Sequence, residues 1–145
     1  MSISSANWFV WALFSAIFAA LTAIFAKVGL EGIDSDLATL VRTVVIFVVL
    51  SAFVYFTGKW SNPLALSGRT WLFLILSGLA TGASWVCYFR ALKVGDASQV
   101  APIDKLSVLL VAVFAVIFLG ERPSFGEWLG ILMVGGGVLV LALTR

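Results

Sequence analysis

Five long apolar stretches, joined by short polar segments, make up almost the whole of this sequence. An α-helix rises about 1.5 Å per residue, so about 20 apolar residues cross the roughly 30 Å hydrocarbon core of a bilayer. Each stretch has about that length. We therefore predict an all-α, polytopic membrane protein whose five transmembrane helices span residues 8–30, 37–57, 70–92, 97–119 and 125–143.

The composition excludes several classes of function. Hydrophobic residues make up 62% of the chain and charged residues 11%, against about 25% charged in soluble domains. A net charge of +2 without a basic run argues against nucleic-acid binding. Cys87 is the only cysteine and histidine is absent, so neither a disulfide within the chain nor a cysteine metal cluster is expected. We predict no metal and no cofactor.

The segments between the apolar stretches carry signals for helix ends. Gly32, Asp34 and Ser35 predict a turn followed by a helix N-cap. Gly120 and Pro123 predict a sharp end to the fourth span, because proline cannot continue a helix. The first apolar run is longer than the core of a signal peptide, so we expect it to be retained as a span.

The basic residues of the loops do not favour one orientation in the membrane. Short cytoplasmic loops usually carry an excess of Lys and Arg. Here the two sides of the predicted bundle are nearly balanced, and we expect insertion in both orientations. On the side of the N-terminus lie Lys59, Arg69 and Arg122, and on the opposite side lie Lys27, Arg90, Lys93 and Arg145.

Two adjacent charges stand inside the fourth span. Asp104 and Lys105 lie about eight residues, or roughly 12 Å, from its start. A charge at that depth costs at least about 2.5–3.5 kcal/mol and should face a cavity or an opposite charge. The pair is a candidate site for a substrate or a coupling ion, and a structural ion pair is the alternative. Pro102 either exposes carbonyl groups to a cavity or only kinks the helix.

A further charge, Arg42, lies about six residues into the second span, with Thr39 and Thr43 on the same helical face. Arg42 is a candidate partner for Asp104. The alternative is an arginine that extends its guanidinium back to the membrane boundary.

Polar side chains recur along one face of the third span. Ser77, Thr81, Ser84 and Tyr88 follow each other at helical spacing, and Trp85 adjoins them. Trp85 and Tyr88 are candidates for the wall of a solute site, with cation–π capacity for a cationic solute. We expect Phe89 to lie farther round the helix. Packing against another helix explains the stripe as well.

Small residues are spaced for close helix packing in two of the spans. Gly78 and Gly82 form one G-x-x-x-G pair, and Gly126 and Gly130 form another. Such pairs allow two helix backbones to approach closely. Each pair alone is weak evidence for an interface between copies.

The segment from Ala91 to Leu141 resembles the EamA domain of the drug/metabolite transporter superfamily. Its most specific part is Pro102 followed by an apolar run into Leu119-Gly120-Glu121. Phe25-Ala26-Lys27 and Leu40-Val41-Arg42 look like that domain as well. The resemblance implies that residues 1–145 form one EamA-like domain, an EamA-type half-transporter. Full-length members carry two such five-helix domains in inverted orientation, so this chain is similar to the short, five-span prokaryotic branch.

The resemblance implies a secondary transporter that exports a small organic metabolite or drug-like solute across a prokaryotic cytoplasmic membrane by alternating access. Two oppositely oriented copies would rebuild the ten-helix arrangement, so we expect an antiparallel homodimer. Arg42, Asp104 and Lys105 would set the charge of its cavity, Trp85 and Tyr88 would shape it, and Asp104 is the candidate for proton coupling.

Other functional classes fit the sequence less well. A non-transporting scaffold or regulatory subunit of a membrane complex is the main alternative, since the charged pair would then serve helix association. An enzyme is not expected, because no nucleophile is paired with a base. A channel would need a ring of like charge or a filter-like loop.

Overall fold

The computed structural model describes residues 5–144, with side chains from residue 8 onward, and these residues form helices and turns without a β-strand. The all-α prediction is confirmed, and five helical segments are long and apolar enough to cross a membrane. The first, second, third and fifth spans are single helices: α1 (Ser5–Gly29), α2 (Ser35–Phe56), α3 (Gly68–Val94) and α6 (Phe125–Leu143). The fourth span, Ala97–Leu119, contains α4 (Ala97–Asp104) and α5 (Ser107–Phe114).

The predicted helix ends agree with the structure to within a few residues, because polar side chains satisfy the free backbone groups there. The Asp34 side chain accepts hydrogen bonds from the N–H groups of Asp36 and Leu37, at 2.9 and 3.2 Å, and so caps α2. Ser124 and Glu127 form a reciprocal capping box at the start of α6. The N-cap signal read from the sequence is therefore confirmed at Asp34.

The regular α-helix of the fourth span is broken, one turn after its proline, by a tight turn at Lys105 and Leu106 whose backbone angles stay helical. Pro102 lies inside α4, which ends at Asp104, and α5 resumes at Ser107. The N–H groups of Lys105 and Leu106 bond to carbonyls three residues earlier, at 2.9 and 3.0 Å. A proline has no N–H and its ring crowds the carbonyl four residues earlier, so Pro102 weakens the helix on the N-terminal side of this turn. The break lies at the charged pair predicted from the sequence.

The last turns of the fourth span are wider than an α-helix. Residues Ala115–Leu119 form a π-helical segment, and Gly120 ends it with a φ of 69°. Glycine adopts this left-handed conformation without the penalty that a Cβ would carry. The N–H of Glu121 also bonds to the Ala115 carbonyl, at 3.2 Å, which closes the helix end that the sequence predicted.

The chain divides into two compact units. One unit, Ile24–Val94, contains the last turn of α1, all of α2 and α3, and the loops between them. Within it α2 packs on α3. Its buried residues lie near the start of α2 and the ends of α1 and α3, namely Leu30, Thr39, Phe89 and Leu92.

The other unit comprises the described residues up to Ala23 and those from Gly95 onward. Within it α6 packs on both α4 and α5. Gly135 of α6 lies directly against Leu109 of α5, and an added Cβ would come within 2.7 Å of two Leu109 carbon atoms. The fourth span and α6 therefore pack closely because one of the two positions has no side chain.

Large apolar side chains remain exposed along every span. Phe47 is 71% exposed, Leu79 66% and Met133 70%. A soluble protein does not expose apolar surface on this scale, so lipid or another protein must cover it. The chain is a multi-pass membrane protein.

Candidate functional site

Arg42 lies over two aromatic rings inside the unit Ile24–Val94. Its guanidinium carbon is 4.3 Å from the centre of the Trp85 ring and 5.3 Å from that of Phe89. Trp85 and Phe89 are four residues apart on α3 and so share a face. A guanidinium within about 6 Å of a ring centre is attracted by the negative face of the ring. The two rings therefore hold Arg42 against α3.

Phe89 is the member of this cluster that the sequence analysis set apart. It is 3% exposed and supports the arginine together with Trp85. The i, i+4 spacing of Trp85 and Phe89 was the signal that would have identified it. Tyr88, predicted as part of the solute wall, is half-buried beside them and interacts electrostatically with Arg42.

No described carboxylate pairs with Arg42. The ion pairs among residues 5–144 join Arg90 to Asp36 and Lys105 to Asp104. The two threonines beside Arg42 bond back to their own helix, Thr39 to the Ser35 carbonyl at 2.8 Å and Thr43 to the Thr39 carbonyl at 2.7 Å. Pairing of Arg42 with Asp104 stays a prediction.

The polar stripe of α3 is partly satisfied within its own helix. The Thr81 hydroxyl donates to the Ser77 carbonyl at 2.8 Å. Ser77, Thr81 and Ser84 are exposed on the single chain. In a bilayer such a face needs water or another helix beside it. A solute wall and packing against another helix therefore both stay predictions for the stripe.

Asp104 and Lys105 form an ion pair in the other unit, at the break of the fourth span. The Lys105 Nζ atom donates to Asp104 Oδ2 over 3.2 Å. Neighbouring residues of a regular helix do not face each other, and the turn between α4 and α5 allows this contact. The side chains are 36% exposed for Asp104 and 54% for Lys105, so both are accessible on the single chain.

Two lysines tie the ends of α1 and α3 together, which the sequence analysis did not predict. Lys27 near the end of α1 donates to the Leu92 carbonyl of α3 at 2.7 Å. Lys93 near the end of α3 donates to the carbonyls of Leu30 and Ile33, at 2.6 and 2.7 Å. Cations near a helix C-terminus satisfy its last carbonyls. We call this pair of contacts the lysine clasp.

A bidentate ion pair lies at the same end of this unit. Arg90 donates through Nε and Nη2 to the two carboxylate oxygens of Asp36, at 2.9 and 2.6 Å. It joins the start of α2 to the end of α3. Together with the lysine clasp it marks the polar boundary of the unit on this side of the membrane.

Removing the ammonium group of the lysine clasp should destabilise the protein. We expect Lys93→Met to lower the free energy of unfolding by at least about 1 kcal/mol, because two charge-assisted hydrogen bonds are lost while the aliphatic stem is kept. Lys59→Met, in the exposed loop after α2, is the matched control. Denaturant unfolding in mild detergent measures both. Equal stability of the two variants would show that the clasp does not stabilise the fold.

An apolar groove of about 500 Å³ lies between the fourth span and α6. Ala112, Ala115 and Gly130 are among its lining residues, and Glu121 and Glu127 are its acidic ones. The Glu127 carboxylate accepts hydrogen bonds from Ser124 N and Oγ, at 2.6 and 2.8 Å. The Glu127 side chain therefore takes part in capping the start of α6.

The described residues contain no group of three or more His, Cys, Asp or Glu side chains that could hold a metal ion. Away from the ends of the described spans, the charged side chains are those of Arg42, Asp104 and Lys105. These groups can bind charges, and a carboxylate such as that of Asp104 can also carry a proton.

Comparisons with known proteins agree on one type of function. The family model described as the EamA-like transporter family matches residues 6–143. An uncharacterised transporter in the cobO 3' region of a Sinorhizobium species is 60% identical over 139 residues, which are 96% of this chain and 99% of that protein. No solved structure matches the chain.

Two longer proteins are also similar to this chain. The uncharacterised transporter YxxF of Bacillus subtilis is 26% identical over 94% of this chain and 42% of its own length. Human solute carrier family 35 member G1 is 30% identical over 90% of this chain and 34% of its own length. The chain therefore spans well under half of either protein.

Proposed function

Since this chain belongs to the EamA-like transporter family, we propose that it is a secondary transporter that exports a small organic metabolite or drug-like solute across a prokaryotic cytoplasmic membrane. The bacterial relatives support the location. The proposal treats residues 1–145 as one EamA-like half-transporter domain.

The interruption of the fourth span carries this proposal. Secondary transporters place their sites near the membrane midplane, beside helices with irregular backbone. Here the tight turn between α4 and α5 coincides with the ion pair of Asp104 and Lys105. Irregular backbone and charge are tolerated at such depth where they face protein or a water-filled cavity. Both features suit a solute pathway.

Asp104 is our candidate for ion coupling. Its carboxylate has Lys105 as a counter-ion, and a proton or a bound solute would alter that pairing. If the proton and the solute bind at Asp104 in turn, solute binding is linked to proton movement in an alternating-access cycle.

We propose that the second half of the pathway comes from another copy of this chain in the opposite orientation. The longer relatives have room for a further domain beside the part that this chain matches. A Cβ added at Gly78, Gly82, Gly126 or Gly130 would meet no atom within 4 Å. Both small-residue faces are thus open on the single chain and available to a partner.

Solute flux tests the proposed function directly. The purified chain is reconstituted into liposomes, loaded with a mixture of aromatic and aliphatic metabolites, and the released solutes are identified by mass spectrometry. Release above that from protein-free liposomes supports a transporter. A folded, reconstituted chain that releases none would favour a scaffold or regulatory subunit.

Single-cysteine labelling in intact cells tests the antiparallel assembly. Ser61→Cys, in the exposed loop after α2, is made in a Cys87→Ser background, and Glu31→Cys is the matched site in the preceding loop. Because the basic residues are balanced, we expect each cysteine to react with a membrane-impermeant reagent in part of the molecules. Complete labelling of one site and none of the other would exclude an antiparallel homodimer.

A further inference from the structure

We propose that Arg42 binds the anionic group of the transported solute, and that this group is a carboxylate. The inference rests on the proposed transport function and specifies its substrate class. The observation that carries it is a guanidinium held inside a span by aromatic rings, without a carboxylate partner among the described residues.

The direction of the Arg42 side chain favours a site inside the membrane. Asp36 and Arg90 mark the polar boundary, and Arg42 follows Asp36 by six residues, or about 9 Å along α2. Trp85, on which the guanidinium lies, is five residues inward from Arg90 on α3. The guanidinium extends across to α3, where Trp85 and Phe89 lie five residues and one residue from Arg90. It therefore lies against these rings, on the membrane side of the Arg90–Asp36 pair.

The acidic residues of this unit are engaged elsewhere or lie in the loop before α2. The carboxylate of Asp36 is held by Arg90 at two points. Asp34 accepts the first N–H groups of α2. Glu31 lies in the exposed loop between α1 and α2. An anion that reaches Arg42 therefore competes with no carboxylate of the unit Ile24–Val94.

The Arg42 side chain has donors suited to a carboxylate. A guanidinium is planar and carries five N–H groups in a rigid fork. Two parallel N–H groups match the two oxygens of a carboxylate. The Trp85 face that the sequence analysis offered to a cationic solute is already occupied by Arg42. A cationic solute would also be repelled by it.

Ligand-induced stabilisation of the full chain in dodecyl maltoside micelles tests the proposal. The probes are benzoate, benzamide and benzylamine, which share a ring and differ in charge, at equal ionic strength. A ligand that binds the folded state raises its unfolding temperature. Of these three probes, we expect only benzoate to raise it. We expect short-chain phosphatidic acid, at the same concentration, to raise it less than benzoate does.

Variants assign the effect to Arg42. Arg42→Gln should weaken benzoate binding at least about tenfold, because the charge-assisted hydrogen bonds are lost. Arg42→Lys keeps the charge without the planar fork and should give an intermediate affinity. Arg69→Gln is the matched control, since Arg69 also lies over a ring, 5.9 Å from the centre of Phe73, and it should bind benzoate as the wild type does.

The results separate this inference from the proposed function. Equal stabilisation by benzoate and benzamide, no stabilisation by benzoate, wild-type affinity in Arg42→Gln, or stronger stabilisation by phosphatidic acid would overturn the carboxylate site. The probe series on the wild type decides this even if a variant does not fold. Arg42-dependent benzoate binding without liposome flux would instead refute transport and leave the anion site standing.

Discussion

Replacing Asp104 with asparagine should abolish solute release from liposomes while the protein still folds and assembles. The substitution keeps the size of the side chain and removes its negative charge and its ability to carry an exchangeable proton. Lys105 then loses the opposite charge that lies 3.2 Å from its ammonium group. Transport that depends on a charge or proton at the break of the fourth span cannot proceed without it.

The matched control for this variant is Glu121→Gln. Glu121 is an exposed carboxylate just after the fourth span, and its neutralisation should leave flux near the wild-type level. Size-exclusion chromatography and thermal unfolding measure assembly and folding of both variants. Loss of folding or assembly in Asp104→Asn would support a structural ion pair instead, and full flux would exclude Asp104 from coupling.

Replacing Gly135 with valine should destabilise the protein, because the Leu109 side chain that packs against it must move. The new Cβ would come within 2.7 Å of Leu109 carbon atoms, and the branched methyl groups of valine add further crowding. Overpacking of this kind costs about 1–3 kcal/mol. Unfolding in mild detergent measures the change in the free energy of unfolding. The contact between α6 and α5 is the one that must rearrange.

Two further variants make this prediction specific. Gly137→Val introduces the same side chain two residues later, where a Cβ meets no atom within 4 Å, and should change stability by less than Gly135→Val does. Leu109→Ala in the Gly135→Val background should restore part of the loss, because the clashing atoms are removed. Additive losses in the double variant would show that the clash is not the cause.

The sequence predicted the spans well because length and apolarity alone determine them in a membrane. The five spans lie where expected, and α6 agrees at both ends. Asp34 and Gly120 were identified as helix ends because capping and left-handed turns depend on local residue types. Helix ends depend on a few neighbouring residues, and span length depends on bilayer thickness. Both can therefore be predicted from the sequence.

The site was predicted less completely because its contacts join distant parts of the chain. Arg42 was identified by its place in a span, yet its contact with Trp85 and Phe89 depends on how α2 packs on α3. The lysine clasp was missed for the same reason. Lys27 and Lys93 look like ordinary basic residues at helix ends. Only the packed helices show that Lys27 reaches a carbonyl of α3 and that Lys93 reaches carbonyls just after α1.

The lysine clasp makes the two ends of the unit Ile24–Val94 mechanically unequal. At one membrane face the ends of α1 and α3 are cross-tied, and Arg90 fastens the start of α2 to them through Asp36. At the other face α2 and α3 are joined by the loop that contains the short turn Pro63–Ala65. We infer that the end held by these polar contacts opens less readily than the loop end. In the antiparallel pair proposed above, each face of the membrane would receive one cross-tied end and one loop end, so the same difference would apply to the inward-open and outward-open states.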